Sequence, residues 1–342
     1  MEKIYYSEPI ERDTHWRQDY IDTTDQWLQG LQQEAAAERA DFMSPEAYAA
    51  DPEHFRRQFV DMLGFPLNRP VPVPECTSTF VAADGDVDIY RMQFTFFDGL
   101  KFYGMYFKQR NIQNAPFVVS IHGGEGTPEV CSSLHNDSAN YNHQTRRVTD
   151  RGCNVFAPQL FLWRVSKYGN PFDRGQINSR LRQLGGSVTA LELALMRGCT
   201  DWFVANGEAD PAKMGVIGLS YGGMYALFLA AADTRFCSCF SCSWFADRYV
   251  YAREDWSYRN ALRMFGDAET AALVAPRRLV IAMGSHDELF RSRYTLTEGE
   301  RLRPYYRAAG AENQLDVYEF FGLHEQDRSD RGLDFFLQPL ES

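Results

Sequence analysis

The spacing of hydrophobic positions changes along the chain. Between residues 11 and 64 apolar side chains recur at helical spacing, as Phe55 and Phe59 do, beside an Ala- and Glu-rich run that favours helix. Four prolines between residues 66 and 74 then interrupt the helical pattern. The sequence therefore predicts a helical N-terminal extension with a Pro-rich connector over residues 1–75, followed by a larger domain over residues 76–342.

Short apolar runs alternate with helical stretches in this larger domain. Residues 87–97 and 102–107 are predicted to form a hairpin around Asp98-Gly99. Apolar strands alternating with helices predict an α/β protein with a mostly parallel central sheet covered by helices on both faces. Reactive side chains in such sheets lie on loops beyond the carboxyl ends of the strands. The other predicted strands are residues 116–121, 154–157, 214–217, 236–242, 278–283 and 315–320, and the clearest helix between them covers residues 186–204.

Composition and charge exclude several classes of protein. Hydrophobic residues make up 44% and charged residues 24%, which is typical of a globular chain with a large core. The net charge of −11 repels phosphate backbones and anionic lipids, so neither nucleic acid nor a membrane is expected as a partner. The N-terminus lacks an apolar secretory core, and the cysteines are few and scattered, so a cytoplasmic location is expected.

The strongest candidate for chemistry is Ser220, which lies in Gly218-Leu219-Ser220-Tyr221-Gly222. A predicted strand precedes this segment and an apolar helical stretch follows it at once. An abrupt strand-to-helix turn forces the intervening side chain outward, and glycines two positions before and after it leave room for the turn. The sequence therefore predicts Ser220 as a nucleophile. The alternative interpretation is a helix-capping serine in a glycine-rich turn.

A serine nucleophile needs a base and a carboxylate that orients the base. His324 follows the last predicted strand, and Asp287 follows the strand before it, so the two are expected to meet. Glu288 is the alternative acid, and a surface histidine is the alternative interpretation of His324. His15, His54 and His286 are predicted to be surface or loop residues. His135 and His143 are also predicted to be solvated loop residues, although these two could line a pocket.

Two backbone N–H groups are expected to stabilise an oxyanion. One belongs to Tyr221, directly after the candidate nucleophile. The second is assigned to Gly124 in the loop after residues 116–121, with Gly123 as the alternative. The loop over residues 125–145 is expected to form part of a pocket rim, where Glu125 and Glu129 are interpreted as exposed carboxylates.

A cysteine cluster, Cys237, Cys239 and Cys242, raises the question of a metal site. In a strand the first two are expected on one face and Cys242 on the other, so the three thiolates do not converge on one ion. No metal or other cofactor is predicted. Trp244 and Phe245 at the end of that strand fit either substrate contact or core packing.

These motifs together resemble the serine α/β-hydrolases, in the branch of dienelactone hydrolases and acetyl xylan esterases. The resemblance covers residues 76–340. It rests on residues 209–223, on His122-Gly123-Gly124, on residues 284–287 and on residues 322–324, and residues 55–66 and 180–202 add to it. The resemblance implies the α/β-hydrolase fold and metal-free ester hydrolysis through an acyl-enzyme. The chain departs from many members at Gln159, where they have an aspartate.

The expected function is hydrolysis of small-molecule carboxylic esters of small acyl groups through Ser220, His324 and Asp287. A peptidase, or a lactone or C–C bond hydrolase on the same fold, is one alternative. A catalytically inert binding protein is another. The helical extension offers a contact surface, so a homo-oligomer remains an option.

Overall fold

The computed structural model describes residues 5–135 and 138–340. In that part of the chain nine strands form one sheet in the order β1-β2-β3-β5-β4-β6-β7-β8-β9. The strands are β1 Glu75–Asp84, β2 Val87–Thr95, β3 Lys101–Gln109, β4 Phe117–Ile121, β5 Asn154–Pro158, β6 Met214–Leu219, β7 Phe236–Cys242, β8 Arg278–Gly284 and β9 Leu315–Phe320. The helices are α1 Thr14–Phe42, α2 Pro45–Ala50, α3 Pro52–Leu63, α4 Pro128–Cys131, α5 Gln144–Thr149, α6 Val165–Tyr168, α7 Arg174–Gln183, α8 Val188–Ala205, α9 Tyr221–Ala232, α10 Ala261–Met264, α11 Asp267–Ala272, α12 Ser292–Ala308 and α13 Arg331–Leu337.

The sheet is antiparallel at one edge and parallel elsewhere. Strands β1, β2 and β3 form an antiparallel meander, and β3 pairs antiparallel with β5. From β5 through β4 to β9 every pairing is parallel. The predicted hairpin is therefore confirmed as β2 and β3. Strand β1 is the edge strand that the sequence analysis missed, because it buries none of its side chains fully and so lacks an apolar run.

Helices cover both faces of the sheet, as the alternating pattern predicts. One apolar layer contains α8 and α9, with Phe203 and Tyr225 among its buried residues. The opposite layer contains α5 and α13, with Val148 and Phe336 buried against the sheet. Strands β4, β6 and β8 are buried along their whole length, which explains why they appear in the sequence as continuous apolar runs. Among the described helices, none is both long and apolar enough to span a bilayer.

The predicted helical extension is present as α1, α2 and α3. Helix α3 packs on the body, and the Phe59 ring meets the ring of Phe228 on α9 edge-on at 5.2 Å between centroids. The end of α1 is tied down by the Tyr305 hydroxyl, which donates to the carbonyl of Met43 at 2.5 Å. Of the 29 residues of α1, all of them described, Ala35 alone is buried. The first half of this helix therefore extends away from the body.

Four strands, β4, β6, β8 and β9, bring their carboxyl ends to the same edge of the sheet. Strands β4 and β6 are neighbours, β8 and β9 are neighbours, and β7 lies between the two pairs. The loops that follow these strands carry Gly124, Ser220, Asp287 and His324. The topology thus collects residues from distant parts of the chain at one rim.

Candidate active site

Ser220 lies on a sharp turn between β6 and α9. Its backbone angles are φ 58° and ψ −122°, a conformation that is costly for a residue with a side chain. The Ser220 N–H donates to the Cys242 carbonyl at 2.8 Å, which fixes the turn to β7. A Cβ on Gly218 would overlap the carbonyl of Gly222, and a Cβ on Gly222 would overlap the carbonyl of Ile121. The turn therefore requires glycine at both positions, in agreement with the predicted strand–turn–helix.

His324 and Asp287 form a hydrogen-bonded pair. His324 Nδ1 lies 2.8 Å from Asp287 Oδ2, and the Asp287 side chain has no exposed surface. Asp287 Oδ1 accepts the N–H groups of Leu289 and Phe290, both at 2.8 Å, so the carboxylate is held on both oxygens. The bond assigns the proton to Nδ1 and leaves Nε2 as an acceptor. Glu288 is exposed.

The loop that carries His324 is clamped by residues 138–142. Asn140 Nδ2 donates to the His324 carbonyl at 2.9 Å, and the Asn140 carbonyl accepts the Gln326 N–H at 2.8 Å. Asn142 Nδ2 donates to the Gln326 carbonyl at 2.6 Å. The sequence analysis missed this clamp, because asparagines in a loop carry no signal for a partner nearly two hundred residues away.

A single open cavity of about 1020 Å³ is lined by both Ser220 and His324. Gly124 and Tyr221, the two predicted oxyanion donors, line it as well. The cavity also presents the aromatic residues Tyr141, Phe161, Tyr168, Phe172, Tyr251, Trp256 and Phe290. Part of the predicted rim loop reaches the cavity: Glu125, Gly126, Val130, Ala139, Asn140 and Tyr141.

The loop after β4 distinguishes the two candidate glycine donors. The Gly123 N–H already donates to the Tyr141 hydroxyl at 2.9 Å. The Gly123 carbonyl accepts from His122 Nδ1 at 2.8 Å. In a trans peptide the C=O and the following N–H point in opposite directions, so this bond turns the Gly124 N–H away from His122. Gly124 also lies against the Tyr221 ring, since a Cβ on it would be 3.4 Å from Tyr221 Cδ2. The geometry therefore favours Gly124 over Gly123 as the second donor.

His122 is a fully buried, neutral imidazole. Its Nε2 accepts the Leu160 N–H at 3.1 Å and the Gln159 amide at 3.2 Å, so its proton is assigned to Nδ1. Burial lowers the pKa of His122 to about 4, although its hydrogen bond to Gly123 acts in the opposite direction. Gln159, the position at which the chain departs from many serine α/β-hydrolases, is therefore one of the groups that hold this ring.

A buried charge network supports the start of α9. Arg174 Nη1 lies 3.0 Å from Glu192 Oε2, and its Nε lies 2.8 Å from Asp255 Oδ2. The Tyr221 hydroxyl donates to the same Asp255 oxygen at 2.8 Å. Arg174 Nη2 reaches the Tyr225 hydroxyl at 2.7 Å. The network thus ties the side chain of the residue after Ser220 to α7, α8 and the segment before α10.

Three solved structures with similar folds are distant from this chain in sequence. No family model matches the chain, and no curated protein matches it. A glucuronoyl esterase from Solibacter usitatus superposes with a TM-score of 0.64 at 12% identity, covering 88% of this chain and 95% of that one. Acetyl xylan esterase 1 from Thermoanaerobacterium sp. gives 0.56 at 16% identity, with 84% and 93% covered. The methylesterase BT1017 gives 0.65 at 16% identity, with 91% and 68% covered. The chain has the α/β-hydrolase fold.

On this α/β-hydrolase fold most of the other predicted residues lie away from the cavity. Trp244 and Phe245 are fully buried in the apolar core, and Trp244 packs edge-on against Trp256 at 4.5 Å between ring centroids. Glu125 is exposed, as predicted, and pairs with Arg164 beside the cavity. The expectation that Glu129 is exposed was wrong, because its side chain is mostly buried where it pairs with Arg91. The predicted surface or loop histidines are exposed: His15, His54, His135, His143 and His286.

The cysteine cluster lies differently from its predicted arrangement. A bulge in β7, opposite Met214 and Gly215, shifts the alternation of side chains. Cys239 therefore faces one apolar layer, whereas Cys237 and Cys242 both pack with the other. The expectation that Cys237 and Cys239 share a face was wrong. Within the described residues no group of three or more His, Cys, Asp or Glu side chains is placed to hold a metal ion.

Proposed function

We propose that the protein is a serine hydrolase that cleaves carboxylic esters of small acyl groups. One observation carries the proposal: the His324–Asp287 hydrogen bond lies at the cavity that also contains Ser220 on its strained turn. A strained serine, an oriented imidazole and a buried carboxylate are the parts that nucleophilic acyl transfer requires. Their chain order, Ser220, Asp287 and His324, also fits the order typical of this fold.

The reaction proceeds in two acyl-transfer steps. His324 Nε2 accepts the proton of Ser220 Oγ, and Oγ attacks the ester carbonyl carbon to give a tetrahedral intermediate. The N–H groups of Tyr221 and Gly124 stabilise its oxyanion. Collapse breaks the ester C–O bond, and the alcohol leaves with the proton from His324. Water, deprotonated by the same ring, then releases the acid from Ser220. Asp287 stabilises the imidazolium in both steps.

The shape and lining of the cavity support a carbohydrate as the alcohol part. A volume of about 1020 Å³ far exceeds what an acetyl group fills. Aromatic faces such as Phe172, Tyr251 and Trp256 offer flat apolar surfaces on which a sugar ring can pack. The acetyl xylan esterase and glucuronoyl esterase neighbours act on sugar esters by name, which agrees with this substrate class.

A second candidate, esters of acidic sugars, is favoured by charge. Among the described residues that line the cavity, Arg164, Lys167, Arg174 and Arg253 are cationic, whereas Glu125 is the one carboxylate. Arg164 and Arg174 are neutralised by ion pairs. Lys167 and Arg253 instead stack on the rings of Tyr168 and Trp256, which leaves both charges available to a substrate carboxylate.

The test compares wild type, Ser220→Ala and the control Ser179→Ala, a half-buried position on α7 that does not line the cavity, on p-nitrophenyl acetate. We expect turnover in wild type and the control and its loss in Ser220→Ala. Equal rates for all three would remove Ser220 from the mechanism.

Mass spectrometry after fluorophosphonate treatment should show an adduct on Ser220, and an inert binding protein would show none. A panel of acetylated xylo-oligosaccharides, methyl glucuronate esters, lactones and short peptides then separates the substrate classes.

A further inference from the structure

The projecting half of α1 carries three exposed aromatic side chains along one face. Trp16, Tyr20 and Trp27 retain 67%, 77% and 64% of their surface. At about 100° per residue these three side chains and Leu31 fall within an arc of about 60° on the helix. Leu31 and Ala35 continue this face where α1 meets the body. We call Trp16, Tyr20, Trp27 and Leu31 the α1 stripe.

The stripe is nearly symmetric about its own midpoint. Trp16 lies as many residues before Thr23-Thr24 as Leu31 lies after it, and Tyr20 and Trp27 are related in the same way. A second α1 running antiparallel would therefore place Trp16 opposite Leu31 and Tyr20 opposite Trp27. Self-complementarity of this kind is what a two-fold interface demands, because each subunit presents the same surface.

From this register we propose that the protein forms a two-fold dimer through antiparallel pairing of α1. Three rings with these exposed fractions offer about 300–500 Å² of surface. Leu31 within the stripe and the exposed Leu28 at its edge add to this area. The total approaches the roughly 800 Å² per subunit that stable interfaces bury. The contact between the two α1 helices, which we call the seam, runs from Trp16 to Leu31 and is about 22 Å long.

A second apolar feature lies at the end of this seam. A cavity of about 650 Å³ is lined by Leu28, Leu31 and Ala35 of α1 together with Met62, Phe228 and Phe265 of the body. In the antiparallel register, Trp16 of the partner subunit lies against Leu31 at the mouth of this cavity. Both copies present the same arrangement, so each end of the seam gains the same apolar contact.

The charge of the segment argues against a lipid surface as the alternative occupant. Between residues 5 and 28 there are six carboxylates and two arginines. Helices that bind membrane surfaces carry lysine and arginine beside their apolar face, and anionic lipid would repel this one. Asp22 and Asp25 lie about 150° around α1 from the centre of the stripe and remain in water in the dimer, and Asp19 lies at the edge of the stripe.

Light scattering coupled to gel filtration tests the dimer over a concentration series. Wild type should approach twice 39.3 kDa at high concentration. Trp16→Glu/Trp27→Glu should elute as a monomer with unchanged thermal unfolding, because both positions are exposed in the subunit. Leu184→Glu, which alters an equally exposed side chain elsewhere, should remain dimeric. Monomeric wild type at all concentrations, or a dimeric double variant, would overturn the proposal.

Cross-linking tests the register itself. Thr24→Cys lies beside the two-fold axis and should form an intersubunit disulfide under mild oxidation, since its Cα atoms approach within about 7 Å. Asp25→Cys, turned to the other side of the helix, should not. Equal cross-linking of the two variants would exclude this pairing. Co-sedimentation with neutral and anionic vesicles covers the remaining alternative, and binding of wild type to either would count against the dimer.

Discussion

His122 Nδ1 donates a hydrogen bond to the carbonyl oxygen of Gly123 at 2.8 Å. The other ring nitrogen accepts from Leu160 and Gln159, so the ring has no freedom to turn over without losing bonds. The Gly126 N–H also donates to the Gly123 carbonyl, at 3.3 Å. Because this carbonyl and the Gly124 N–H share one peptide, His122 and Gly126 together set the direction of the proposed oxyanion donor. We therefore expect His122 to act as a positioning residue for that proposed donor, through the backbone.

Replacing His122 should impair turnover more than substrate binding. We expect His122→Leu to lower kcat roughly tenfold to hundredfold with little change in KM, because a misdirected donor weakens transition-state stabilisation. His122→Asn, which keeps a donor near the Gly123 carbonyl, should recover part of the loss. Steady-state kinetics on p-nitrophenyl acetate measure both, and thermal unfolding checks the fold. Wild-type kcat in His122→Leu would contradict the positioning role.

Burial of neutral His122 also predicts a pH dependence of stability. The pKa of His122 is about 4 in the folded chain and 6.5 for an ordinary histidine, so the unfolded chain binds a proton more readily. Its contribution is fully present above pH 6.5 and is lost as the pH falls towards 4, by up to about 3 kcal/mol. Urea unfolding of wild type and His122→Asn at pH 7.5, 5.5 and 4.5 measures this. The variant should lose less stability than wild type over that range, and parallel losses would refute the assignment.

Two adjacent carboxylates provide a matched test of the proposed acid. Asp287→Asn should lower kcat by roughly 10²- to 10⁴-fold, because the amide no longer orients the His324 ring or stabilises its imidazolium. Glu288→Gln should leave kcat nearly unchanged, since Glu288 is exposed. Turnover of p-nitrophenyl acetate distinguishes the two. A larger loss in Glu288→Gln than in Asp287→Asn would reverse the assignment.

Buried and exposed arginines beside the cavity should differ sharply in their effect on stability. Arg174→Met leaves Glu192 and Asp255, whose side chains are 1% and 14% exposed, without their cation, and should lower the free energy of unfolding by about 3–5 kcal/mol. Arg164→Met breaks an exposed pair with Glu125 and should cost less than about 1 kcal/mol. Urea unfolding at neutral pH measures both, and similar losses in the two variants would be inconsistent with the buried network.

Much of the fold and of the candidate site could be predicted from local sequence patterns. The continuous apolar runs of β4, β6 and β8 and the glycines around Ser220 are short-range signals, because burial and turn geometry restrict the residues at those positions. Asp287 and His324 could be inferred because topology places their loops side by side.

Features that depend on distant partners left no such signal. The exposed strand β1 is held by its ladder to β2 and not by burial, so it lacks an apolar pattern. The Asn140 clamp on His324 and the Arg174–Glu192–Asp255 network join residues whose types are ordinary in loops and helices. The bulge in β7 that places the Cys237 side chain on the other face of the sheet results from the pairing of β7 with β6.

The overlap between a Cβ on Gly222 and the Ile121 carbonyl has a consequence for engineering. The obstacle is the main chain of a neighbouring strand, so repacking of side chains cannot relieve it. Libraries aimed at new substrates should therefore keep Gly218 and Gly222 fixed and vary residues such as Phe172 and Tyr251. Selectivity can then be altered while Ser220, the proposed nucleophile, keeps its place beside β4, whose following loop carries Gly124.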